Sequence, residues 1–152
     1  MREVEEIEEL RNLVGTELGV SDWVLVDQAR VDKFADATGD HQWIHVDVAR
    51  ARREMPGGRT IAHGYLTLSL LPMLMAQILR IKQVSSRVNY GSNRIRFTNT
   101  VPTGSRVRAR QKLKSFESVK NNGFQIISEV TIEIEGQDRP ACIAETITIA
   151  YP

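Results

Sequence analysis

The sequence predicts an α+β domain in which an antiparallel sheet wraps around one long apolar helix. Three observations carry this expectation. Ile61 to Ile81, IAHGYLTLSLLPMLMAQILRI, has Arg80 as its one formal charge and is apolar nearly all round, the pattern of a helix buried on most sides. From Ser86 onward the pattern changes to strands, Ser86–Phe97, Ser105–Val119, Phe124–Gly136 and Cys142–Tyr151, separated by turn signals. Long strands with short connections predict an antiparallel meander.

At the N-terminus, Val4, Ile7, Leu10 and Val14 recur at helical spacing among glutamates. They predict an amphipathic helix from Glu3 to Leu13 within residues 1–15, ended near Gly15, packed on the outside of the domain or on a partner subunit. Trp23 to Val26 reads as a short strand. Asp27 then caps a helix from Gln28 to Ala37, and Gly39 ends it. Asp40 therefore lies just past a helix end, in a loop that runs to His45. Asp47 caps a second short helix, Val48 to Glu54, broken at Met55-Pro56-Gly57-Gly58. Pro72 is expected to kink the long apolar helix rather than end it, because the pattern resumes at Leu74, Ile78 and Leu79.

A two-residue turn at Asn121-Asn122 would place Arg110 opposite Glu133, Arg108 opposite Glu135 and Lys114 opposite Glu129. Each such pair is worth roughly 0.2–1 kcal/mol. Val107, Ala109 and Leu113 would share the other face with Phe124, Val130, Ile132 and Ile134. The basic run RVRARQKLK then reads as the polar face of a sheet, with contact to a substrate phosphate as the competing reading.

The totals fit one domain over residues 1–152. The chain has 41% hydrophobic and 26% charged residues and a net charge of +1. That balance argues against a nucleic-acid or membrane-surface protein. No stretch reaches the roughly 20 apolar residues of a membrane span, and the acidic MREVEEIEEL lacks the apolar core of a signal peptide. The single cysteine, Cys142, rules out an internal disulfide and suits a reducing compartment, so a cytoplasmic location is expected.

Chemistry concentrates between Phe34 and Gly64, which holds all three histidines, His41, His45 and His63. A carboxylate beside an imidazole can fix its tautomer or share a water with it, and histidine titrates near neutral pH. Asp40 and His45 are that pair here. Singly, Asp40 also reads as a turn residue and His45 as a loop histidine. The three histidines are also possible metal ligands, but no HExxH or cysteine pair supports a metal. His63-Gly64 opens the apolar helix, where unsatisfied N–H groups and the helix dipole can stabilise a developing oxyanion. Close helix–sheet packing at Gly64 is the alternative. There is no GxSxG, GxxxxGK[ST] or GxGxxG, and Cys142 reads as a packed thiol.

The motifs ATGDHQWIHVD, TIAHGYLTLSLL and NYGSNRIRF…VPTGSRV resemble the MaoC-like dehydratases, or R-specific enoyl-CoA hydratases, and particularly their NodN-like branch. The likeness runs from about Trp23 to the C-terminus. The family motif, roughly Gly-Asp-x-Asn-Pro-hydrophobic-His, reads here Gly39-Asp40-His41-Gln42-Trp43-Ile44-His45, with Gln42 and Trp43 in place of Asn-Pro. The resemblance implies a hot-dog fold, a homodimer joined edge to edge, and reversible syn-addition of water to a trans-2-enoyl-CoA. It implies Asp40 and His45 as the catalytic pair and the Gly64 N–H as the thioester-oxygen contact. His63, Gln42, Trp43, Tyr90 and Asn93 are the further substrate-contact candidates, and Arg94, Arg96 and Arg106 are candidates for the CoA phosphates. No cofactor is expected, coenzyme A being part of the substrate. Some hydratases of the family carry a serine eight residues after the glycine, where this chain has Pro72. A hot-dog thioesterase and a non-catalytic acyl-binding or partner subunit are the alternative readings.

Overall fold

The computed structural model describes residues 1–152. Strand β1 (Arg2–Val4) leads through a 3-10 helix (Ile7–Leu13) to β2 (Glu17–Val20) and β3 (Val24–Val26). Helices α1 (Gln28–Thr38), α2 (Trp43–Val46), α3 (Val48–Glu54), α4 (Gly64–Ser69) and α5 (Leu71–Ala76) follow. The chain ends in β4 (Leu79–Ile81), β5 (Ser86–Phe97), β6 (Ser105–Val119), β7 (Gly123–Ile134) and β8 (Cys142–Tyr151). The last four strands make the body of a six-stranded antiparallel sheet ordered β2-β6-β7-β8-β5, with β3 also on β6. Helix α5 packs against β6 and α4 against β8, so the sheet wraps the apolar helical segment as expected.

Four sequence expectations are corrected. The N-terminal segment is not an α-helix. Positions 7, 10 and 13 recur every third residue, a spacing a 3-10 helix eclipses into one line. The Glu9 carboxylate accepts from the Glu5 and Glu6 N–H groups and fixes the start. Ile7 and Leu10 are fully buried in the core rather than on the outside.

The long helix is shorter than its apolar pattern. It runs only from Gly64 to Ala76, interrupted at Leu70, with Pro72 in the first turn of α5, where its missing N–H costs nothing. A turn at Gln77-Ile78 closes the helix, and the chain continues from Leu79 as a strand. Strand β4 pairs parallel with β1, Leu79 facing Arg2 and Ile81 facing Val4. Leu74 and Ile78 are both fully buried, and burying each such side chain contributes about 1.5–3 kcal/mol.

The meander covers three strands, not four. β6, β7 and β8 follow in order, but β5 pairs with β8 at the far edge, Ser86 opposite Tyr151 and Phe97 opposite Cys142. The register skips at Tyr90 and at Asn93, two bulges that bend this edge strand.

The β6–β7 turn has three residues. Val119 faces Gly123, with Asn121 (φ 60°) and Asn122 (φ 56°) both left-handed, a conformation asparagine tolerates better than other non-glycine residues. A bulge at Lys114 shifts the register once more, so Arg108 rather than Arg110 lies opposite Glu133. Glu133 accepts from Arg108 Nε at 2.6 Å and, diagonally, from Arg110 Nε at 3.0 Å. Lys114 pairs with Glu145 instead of Glu129. The apolar face is as expected: Val107, Ala109, Leu113, Val130, Ile132 and Ile134 are all buried.

Candidate active site

Helix α1 is set by its caps. The Asp27 carboxylate accepts from the Arg30 N–H at 2.9 Å, and Gly39, at φ 78°, donates its N–H to the Ala35 carbonyl. The left-handed glycine turns the chain, and Asp40 follows with its side chain half exposed. The segment to His45 is not all loop, because Trp43–Val46 closes into the single turn α2. That turn is held from α1. Gln28 donates from Nε2 to the His45 carbonyl at 2.7 Å and accepts from the Thr60 hydroxyl.

The turn delivers His45 into the interior, where it is 6% exposed. Its Nδ1 lies 2.6 Å from the Ile61 carbonyl oxygen. A carbonyl only accepts, so Nδ1 carries the proton and Nε2 presents a lone pair. Nε2 has no partner within the protein and is not sealed from solvent. Burial pushes the His45 pKa below the ordinary histidine value, helped by the neighbouring His63. The Ile61 bond and Asp40 oppose this without reversing it. His45 is therefore neutral at pH 7 and able to accept a proton.

His63 lies against it, 3% exposed, the two rings stacked at 3.8 Å between centroids and 25° between planes. Its Nε2–H donates to the backbone carbonyl of Asp40 at 2.9 Å, and an Asp40 carboxylate oxygen lies 3.9 Å from the same nitrogen. One ligand-type atom from each of Asp40, His45 and His63 falls within 4.8 Å of the others. That separation suits one bridging water, which spans about 4.6 Å with two hydrogen bonds of about 2.8 Å. It suits a metal less well. His45 Nδ1 and His63 Nε2 both face carbonyl oxygens as N–H donors, so His63 could offer a metal only its sealed Nδ1, and the ligand atoms within reach are His45 Nε2 and the Asp40 carboxylate.

A cavity of about 470 Å³ opens beside His45, its walls including Ala62, Gly64, Thr67, Phe97 and Val101. Gly64 is the first residue of α4, and a first-turn N–H has no acceptor within its helix. A Cβ at this position would sit 3.1–3.2 Å from the Phe97 ring, so any larger residue would require the ring to give by a few tenths of an ångström. Sequence reasoning did not single out Ile61, Thr67 or Phe97. Thr67 lies one helical turn from Gly64 and was findable by spacing. Ile61 acts through its backbone, which every residue shares.

The structure brings Asp40, His45, His63 and Gly64 together. Of these, His45 and Gly64 line the cavity and Asp40 and His63 lie behind His45; the other candidates are elsewhere. Gln42 is an exposed N-cap, and Trp43 lies under the Arg50 guanidinium, 3.9 Å from its ring centre. Tyr90 is 70% exposed and borders a second cavity of about 800 Å³ between β5 and the α4–α5 segment. Asn93 donates to Glu145 at 2.7 Å. Arg106 makes a two-pronged ion pair with Glu135 on the exposed face of the sheet. Arg94 and Arg96 lie on the exposed edge strand β5, Arg96 donating to the Ile95 carbonyl. His41 pairs with Asp36 at 2.8 Å on the exposed surface. Cys142 is fully buried with its pKa pushed up to about 11 by burial, as befits a packed thiol.

The family model of the MaoC like domain matches residues 9–135. The chain belongs to the MaoC-like dehydratase family. Among its relatives within that family is 3-hydroxyacyl-thioester dehydratase Z of Mycobacterium tuberculosis, 49% identical over 147 residues, 97% of each chain. Nodulation protein N of Rhizobium leguminosarum bv. viciae is 49% identical over 137 residues, 90% of this MaoC-like chain and 85% of that one. The unliganded R-hydratase PhaJ1 of Pseudomonas aeruginosa superposes with a TM-score of 0.67 at 22% identity, over 91% of this chain and 81% of that one. That likeness extends to the hot-dog fold.

Proposed function

We propose that this MaoC-like dehydratase is an (R)-specific enoyl-CoA hydratase, acting reversibly between a trans-2-enoyl-CoA and the (3R)-3-hydroxyacyl-CoA. The observation that carries the reading is His45: buried, neutral, its tautomer fixed by Ile61, lining a cavity, with a ring nitrogen within 4.8 Å of an Asp40 carboxylate oxygen. Water held between Asp40 and His45 gives a proton to this pair as its oxygen bonds to C3. The alkene electrons move onto the thioester oxygen, which the Gly64 N–H stabilises as an enolate. The proton returns to C2 as the enolate collapses. The two groups act as a coupled pair. The thioester itself activates the alkene, so the reaction calls on no metal or redox group.

The name of the mycobacterial relative, a 3-hydroxyacyl-thioester dehydratase, supports this substrate class. The edge strand supports a homodimer. Eleven of the twelve β5 residues are exposed, Val88, Tyr90 and Phe97 among them, and β5 pairs on one side only. An open edge of this length is a template for a second copy. No helix is long and apolar enough to cross a membrane.

Crotonyl-CoA tests the reading. Loss of the conjugated enoyl absorbance without thiol release, with the (3R) product on chiral analysis, is the expected result. Thiol release would instead indicate a thioesterase. Binding without turnover of short and long chains would indicate an acyl-binding subunit.

A further inference from the structure

We propose that His63 is a positioning residue that holds Asp40 in register with His45. This inference rests on the hydratase reading for its kinetic consequence, but not for its geometry.

Asp40 needs an external hold. It follows a left-handed glycine, its side chain is half exposed, and the one hydrogen bond its carboxylate accepts is a long one, 3.3 Å from the Gln42 N–H. His45, in contrast, is fixed by burial, by Ile61 and through its carbonyl by Gln28. A pair made of one fixed and one loose member has no defined separation unless something spans both.

His63 spans both. Its ring stacks on His45 at 3.8 Å, and its Nε2–H donates to the Asp40 carbonyl at 2.9 Å. Phe34 of α1 lies at 4.9 Å, tilted by 53°, so the ring is confined by a second aromatic. The His63 carbonyl accepts from the Thr67 N–H at 3.1 Å, which ties the same residue to the first turn of α4 beside Gly64.

A packing role alone does not account for histidine. The ring is 3% exposed, and its second nitrogen, Nδ1, is buried without a partner. An unsatisfied buried acceptor destabilises a fold, so an apolar ring of similar size would pack there better. What phenylalanine cannot supply is the Nε2–H bond to Asp40. The imidazole is kept for its donor.

The test compares His63→Phe, which keeps a ring and removes the donor, with His63→Gln, whose Nε2 can reach the same carbonyl. For His63→Phe we expect a Tm equal to or above the parent's, KM for crotonyl-CoA within about twofold and kcat reduced by about 10²-fold, as misplacement of a reacting group by about 1 Å costs. His63→Gln should recover most of kcat. Independently of turnover, backbone 15N relaxation should show order parameters at residues 39–42 falling below about 0.6 in His63→Phe and staying near the parent's in His63→Gln. Should His63→Phe not fold, His63→Met provides the donor-free variant. Unchanged order parameters in the donor-free variant overturn the proposal, as does equal loss of order in the donor-free and Gln variants. Parent kcat in His63→Phe overturns it too. A parent protein inactive on every enoyl-CoA, with the relaxation result as expected, overturns the hydratase reading and leaves the positioning role standing.

Discussion

The Nδ1–H of His45 donates to the carbonyl oxygen of Ile61 at 2.6 Å, and this bond decides which nitrogen faces the cavity. Ile61 is itself tied back, its N–H donating to the Ile44 carbonyl at 3.0 Å. The two segments that carry the site are thus laced together by backbone groups on either side of the imidazole. The tautomer is built into the fold before any substrate arrives.

The first consequence is in pH dependence. Protonating His45 Nε2 removes the acceptor, and burial makes that protonation harder than in a free histidine. The acid limb of kcat/KM should therefore fall below pH 6.5 and report His45. Stability should follow the same window. As pH falls from 6.5, the unfolded chain binds a proton at this position before the folded one does, so stability drops until the folded-state value is passed. Urea midpoints across that range, parent against His45→Gln, measure it. A midpoint difference independent of pH would remove His45 as the cause.

Replacing Asp40 by Asn should separate chemistry from folding. The side chain is half exposed and makes one long hydrogen bond, so the urea midpoint should stay within error. Hydration should fall by about 10²–10⁴-fold, the range a positioned proton-transfer group contributes. Activity within twofold of the parent would take Asp40 out of the mechanism.

Gly64→Ala puts a methyl group 3.1–3.2 Å from three carbons of the Phe97 ring. The ring must move, and with it the wall of the cavity. A loss in kcat/KM of about 10-fold or more is expected, equivalent to about 1.4 kcal/mol of transition-state binding. Phe97→Ala in the same chain should return part of it, because the clash is gone. Additive losses in the double variant would show that the two positions act separately.

On the far face of the sheet, Glu133 serves two arginines. Burial raises its pKa, but the bonds from Arg108 and Arg110 outweigh burial, and it stays below the usual glutamate range. Glu133→Gln should destabilise the fold by about 1 kcal/mol in low salt, and by less as salt rises, with activity unchanged. Chemical denaturation in urea at two ionic strengths checks this.

Cys142 should resist thiol reagents in the native protein. It is fully buried, and its pKa of about 11 leaves little thiolate at neutral pH. Labelling that tracks unfolding in urea is expected. Fast labelling of the folded protein would contradict its placement between β5 and β7.

Much of this was legible in the chain because the relevant signals are local. Asp27 and Gly39 mark the ends of α1 through groups two to four residues away, and the bounds of β5, β6 and β8 follow from alternation and turn residues. What was not legible depends on partners far away in sequence. Leu79 to Ile81 is as apolar as a helix end and becomes a strand because β1 offers it a parallel edge. Arg108 faces Glu133 because of a three-residue turn and a bulge at Lys114, whose one trace in the sequence is the three-residue step from buried Leu113 to buried Phe116. The same holds for the site. Asp40 and His45 stand out by type and spacing, whereas the Ile61 carbonyl and the stacking of His63 on His45 exist only once α2 and α4 meet.

Phe97 belongs to two places at once. It is the last residue of β5, the strand most open to solvent, and a wall of the cavity that shelters His45. Strand β5 has one hydrogen-bonded neighbour, and edge strands held from one side open at lower free energy than central ones. One wall of the cavity is therefore hung on an edge of the sheet. A second copy paired along β5 would turn that edge into an interior strand, so the firmness of the Phe97 wall would depend on how much of the protein is dimeric.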